Sequence, residues 1–81
     1  MLMPTTRLST ITTTFLVLDE DGLVGEIILD DRDRVVHAGS DIPKDVVLKA
    51  LVAFTRCNEE AGWVRSRQDH RLYSWQVMGL D

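Results

Sequence analysis

One stretch does most to limit the fold: DIPKDVVLKALVAFTRCNEEAG, from Asp41 to Gly62, the only long segment with helical periodicity. At about 100° per residue, Val46, Val47, Ala50, Leu51, Ala53, Phe54, Cys57 and Ala61 fall on one broad apolar stripe. Ser40 or Asp41 is the expected cap for its first free N–H groups, Pro43 suits the first turn, and Asp45 sets negative charge against the positive end of the dipole. Gly62 is the expected stop. A stripe this wide must be covered, and the flanking sequence supplies strands to cover it.

Ahead of the helix, Thr10 to Leu18 alternates Ile11, Thr13, Phe15 and Val17 against Thr12, Thr14, Leu16 and Leu18, the period of a strand. DEDG, Asp19 to Gly22, is a tight turn, and Leu23 to Asp30 returns as a second strand in which Gly25 marks a bulge or a close approach. A second polar turn, Asp31 to Asp33, leads to a short third strand, Arg34 to Ala38. After the helix, Trp63 to Arg67 and Arg71 to Met78 pair around Gln68, Asp69 and His70. The expected architecture is β-β-β-α-β-β, an α+β domain with an antiparallel sheet of four or five strands and one helix packed on one face. The other face must be polar enough for water, or be met by a partner.

Size fits this plan. The chain has 81 residues, enough for one domain that buries about 60 to 65% of its unfolded surface, here residues 10–81 behind a loosely held arm, residues 1–9. A hydrophobic share of 44% beside 27% charged residues is that of a globular protein. The apolar runs are too short to cross a bilayer and the amino terminus lacks a signal-peptide core, so a cytoplasmic location is expected. The single Cys57 on the apolar stripe fits a reducing compartment.

Net charge is −4 but uneven. From Asp19 to Asp45 nine carboxylates face three basic residues, whereas from Val46 to Leu80 five basic residues face three acids. Three candidate contact regions follow. The turns gather Asp19, Glu20 and Asp21, then Asp30, Asp31 and Asp33, which can pair with arginines of a partner or serve as solvated turns. Leu48 and Val52 stack four residues apart on the polar side of the helix, as a contact patch or as packing under a loop. In the last hairpin, a three-residue turn would set Trp63 opposite Trp75, Arg65 opposite Tyr73 and Arg67 opposite Arg71 on one face, able to stack bases or simply to pack. The negative net charge weighs against direct nucleic-acid binding.

No catalytic signature is present: the sequence has no phosphate loop, no serine elbow and no acid–base pair in a defined pocket. His37, Cys57 and His70 share no zinc spacing, and the acidic turns do not match a calcium loop, so neither metal nor cofactor is expected.

The passage through Ala38, Gly39, Ser40, Asp41 and Pro43 into a single Ala-containing helix, in a small acidic chain, resembles some small anti-CRISPR proteins of phages. The resemblance implies a non-enzymatic inhibitor that blocks a CRISPR or other nucleoprotein complex in the host cytoplasm by contact with basic protein surfaces. The other readings are a nucleic-acid-binding module using Arg65, Arg67, Arg71, Tyr73 and Trp75, and a homodimeric structural or accessory protein.

Overall fold

A computed structural model describes residues 11–78. The elements are β1 (Thr13–Asp19), β2 (Gly22–Leu29), β3 (Val35–Ala38), α1 (Lys44–Cys57), β4 (Ala61–Arg65) and β5 (Leu72–Val77). All strand pairs are antiparallel, in the order β3-β2-β1-β5-β4, so the first and last hairpins join through β1 and β5 in one sheet with β3 and β4 at its edges. The α+β expectation of one helix on one face of a five-stranded sheet is met. The expected amino-terminal arm lies outside the described residues.

Alternation explains the core. Phe15 and Val17 of β1, Ile27 and Leu29 of β2, and Tyr73 and Trp75 of β5 point to the helix, where Val46, Ala50 and Ala53 meet them, all buried. Phe54 completes the layer edge-on to Phe15, with ring centroids 5.2 Å apart. On the opposite face, β1 shows Thr14, Leu16 and Leu18, and β5 shows Ser74 and Gln76, none of them fully buried.

The helix is shorter than its sequence pattern at both ends. Pro43 is its N-cap residue and makes no side-chain cap bond, so neither Ser40 nor Asp41 caps it. The entry is fixed by packing: buried Ile42 seats its side chain against both Gly25 and Gly39, whose Cα atoms leave room for it. The exit is Asn58, held in the left-handed conformation at φ 58°, with the N–H of Glu59 donating to the Ala53 carbonyl at 3.0 Å. Asparagine does here what Gly62 was expected to do. Ala61 and Gly62 therefore belong to β4, and Cys57, expected in the core, is exposed at the last turn.

Gly25 has both of its expected roles. The β1–β2 register slips between Val17 and Leu18, leaving Val24 as the extra residue of a bulge, while Gly25 approaches Gly39 and Ile42.

Candidate functional site

The last hairpin departs most from expectation. Trp63 pairs with Ser74 and Arg65 with Leu72, whereas Trp75 pairs with Gly62 and Tyr73 with Val64. The cause is the turn. The Ser66 N–H donates to the Arg71 carbonyl, the His70 N–H returns to Ser66, and His70 takes a positive φ of 62°, so four residues make the connection instead of three. A slip of one residue reverses every face. Tyr73 and Trp75 go into the core, at 3% and 2% exposure, and Trp63 and Arg65 go to the outer face. The interleaved arginine and aromatic surface that would stack bases is not formed.

Arg71 is also diverted. Its Nη1 donates to Asp19 Oδ2 at 2.7 Å and to Asp21 Oδ2 at 3.4 Å, which raises the guanidinium pKa through the Asp19 bond first. Beside it the Tyr73 hydroxyl donates to Asp69 Oδ2 at 2.6 Å. That bond holds Asp69 below the ordinary carboxylate range and, with burial, pushes the Tyr73 phenol up to about 12. The first acidic turn and the Arg71/Tyr73 end of the hairpin, expected as separate sites, thus meet and partly neutralise one another around an open cavity of about 400 Å³ that Asp41 and Leu23 also line.

The second acidic turn lies at the other end of the sheet, because β1 and β2 run antiparallel between them; the two turns stand about 20 Å apart along the strands. They do not form one acidic surface. Asp30 builds its own turn: Oδ1 accepts the N–H groups of Arg32 and Arg34, and Oδ2 pairs with Arg34 Nε at 3.1 Å. The Arg34 N–H bond is the main cause of its lowered pKa. Asp19 does the same for the first turn, accepting the Asp21 N–H at 2.8 Å. Glu20, Asp31 and Asp33 are exposed and accept no side-chain hydrogen bond from the described residues.

On the helix, Leu48 and Val52 are both exposed, as expected, at 60% and 38%. They differ in what they border. Leu48 lines a groove of about 370 Å³ between α1 and the end of β3, with Ala38, Ile42, Val47 and Leu51 as its apolar lining and Ser40 and Lys44 as its polar one. Val52 lies outside it. Val35 and Val36, exposed on β3, do not line it; they lie on the strand that follows Asp31 and Asp33.

Two features were not read from the sequence. Asp45 crosses from the first helical turn to the β4–β5 turn, accepting the Ser66 hydroxyl at 2.9 Å and the Arg67 N–H at 2.7 Å; the latter bond chiefly lowers its pKa. Ser66, fully buried, passes the link on by accepting the Gln68 N–H at 3.0 Å. The groove was also missed, although Ile42 standing between Gly39 and Pro43 is a signal that a large side chain must be accommodated there.

His37 lies on β3, Cys57 at the end of α1 and His70 in the last turn; the described residues hold no group of three or more His, Cys, Asp or Glu side chains suited to a metal. Among them no helix is long and apolar enough to cross a membrane. Comparison with known families, curated proteins and solved structures finds no match to this chain.

Proposed function

We propose that this is a small non-enzymatic protein-binding module whose contact surface is the groove between α1 and β3. The observation that carries the reading is Leu48: a large apolar side chain, 60% exposed, stands at the rim of a preformed apolar groove instead of alone on a polar helix face. The adjoining strand leads to Asp31 and Asp33, exposed carboxylates that attract basic groups. The complementary partner is a protein segment with one or two large apolar side chains flanked by arginine or lysine. Basic protein subunits that line nucleic acid have this chemistry, and the resemblance to anti-CRISPR inhibitors points the same way: the module would occupy such a subunit in the host cytoplasm and block its complex.

Affinity purification from the cells in which the chain is made, with quantitative mass spectrometry, tests this. A partner captured by the wild type is expected to be lost with Leu48→Glu and weakened, with a flatter salt dependence, by Asp31→Asn with Asp33→Asn. Equal capture by all three proteins contradicts the reading.

A further inference from the structure

The two edges of the sheet are not equivalent. β3 has four residues and a register slip between Ile28 and Leu29 that leaves Val36 unpaired, a bulge of the kind that discourages further strand pairing. β4 is regular: Ala61 to Arg65 keep an unbroken register with β5, without proline, lysine or bulge. The N–H of Val77 donates to the Glu60 carbonyl and that of Ser66 to the Arg71 carbonyl, so positions 60, 62, 64 and 66 face β5. The backbone N–H and C=O groups of Ala61, Trp63 and Arg65 therefore point away from the sheet, with no strand beside them among the described residues. At the middle of this edge Trp63 is 69% exposed.

From this geometry we propose that β4 pairs antiparallel with β4 of a second copy of the chain, on a two-fold axis at Trp63. An antiparallel pair requires outward-facing residues to meet outward-facing residues, and a register centred on Trp63 satisfies this along the whole strand: Ala61 meets Arg65 of the other copy, Trp63 meets its equivalent, and Arg65 meets Ala61. The side chains agree as well as the backbone. On the outer face the two indoles lie opposite one another, and each Arg65 lies opposite an alanine and diagonal to a tryptophan, within reach of its ring. Past the strand both backbones turn toward α1, with the Glu59 N–H on the Ala53 carbonyl and the Arg67 N–H on Asp45, and the pairing brings the long side chains of Glu59 and of the other copy's Arg67 near one another, once at each end. Neither side chain forms an ion pair with the described residues of its own chain. The sheet then runs without interruption through both copies and leaves the α1–β3 groove at its two outer ends, so the pairing and the proposed function stand independently.

The charge register supplies the test. Sedimentation velocity at low salt is expected to give a dimer for the wild type and a monomer for Trp63→Lys and for Ala61→Pro, which removes only an outward N–H, with the circular dichroism of the wild type retained. Glu59→Lys places lysine near Arg67 at both ends and Arg67→Glu places glutamate near Glu59, so each variant alone is expected to self-associate roughly tenfold more weakly. Mixed, they face opposite charges at both ends, and native mass spectrometry is expected to show the mixed dimer in excess over either homodimer. A wild type that remains monomeric to millimolar concentration, a dimer that survives Trp63→Lys, or a statistical mixture of the two charge variants overturns the proposal.

Discussion

Gly62 lies directly against the indole of Trp75: a Cβ at position 62 would stand 2.7 Å from Trp75 Cζ2 and 3.1 Å from Cε2. No real Cβ tolerates that approach, so the glycine is required by packing, since it has no positive φ to accommodate. Gly62→Ala is expected to destabilise the fold by about 1–3 kcal/mol in urea unfolding. In a Trp75→Phe background, which removes the atoms in the way, the alanine is expected to cost less. Equal cost in both backgrounds would mean that the ring is not what forbids a side chain there. The indole N–H of Trp75 is buried with no partner among the described residues, so Trp75→Phe removes packing and no hydrogen bond that these residues make.

Asp45 ties the first turn of α1 to the last hairpin, and its depressed pKa makes that tie acid-sensitive. A carboxylate held lower in the folded than in the unfolded chain stabilises above its ordinary pKa of about 4, and that contribution is lost as pH falls through the folded value. Asp45→Asn is expected to lower stability at pH 7 by about 1–2 kcal/mol and to make the acid branch of a stability profile shallower. An unchanged acid branch would remove Asp45 from this role.

Tyr73 gives the opposite limb. Its phenol, pushed up to about 12 by the Asp69 bond and by burial, stays protonated where the unfolded chain's tyrosine has ionised. Stability from this pair is therefore fully present below pH about 10 and is lost as pH rises from there toward about 12. Tyr73→Phe is expected to flatten the decline over that window, and absorbance titration of the wild type should place the single tyrosine above its ordinary value.

The two tryptophans report separate places. Trp75 is 2% exposed and Trp63 is 69% exposed, so acrylamide is expected to quench Trp75→Phe strongly and Trp63→Phe weakly. If copies pair through β4, raising the concentration of Trp75→Phe shifts its emission to the blue and protects it from quenching. Emission that is independent of concentration across the range where sedimentation shows dimers would place the dimer contact elsewhere.

Much of the fold was legible because its signals are local. The alternation of Phe15 and Val17 against Leu16 and Leu18, the aspartate turns, and the helical spacing of Val46, Ala50 and Ala53 each act over a few residues and agree with the observed burial. Element ends were less legible. Asn58 carries a conformation that glycine adopts more readily, and Cys57 leaves the core because the helix stops there. The last hairpin misled because QDH has no glycine to mark the turn, and the choice between three and four residues was decided by packing at a distance: the fit of Trp75 over Gly62 and the Asp45 link to Ser66 and Arg67. Of the contact residues, the exposure of Leu48 was readable from helical spacing. Its groove was not, because Ala38, Ile42 and Leu51 meet only when β3 and α1 are brought side by side.

If recognition occurs on the α1–β3 flank, hydrogen–deuterium exchange of the chain alone and in complex with its captured partner records it there. Slowed exchange is predicted in the segments holding Val36 to Ile42 and Val47 to Val52, with residues 19–21 and 69–71 unchanged. Protection confined to the Asp19, Asp69 and Arg71 cavity, with the groove segments exchanging as before, would contradict the account.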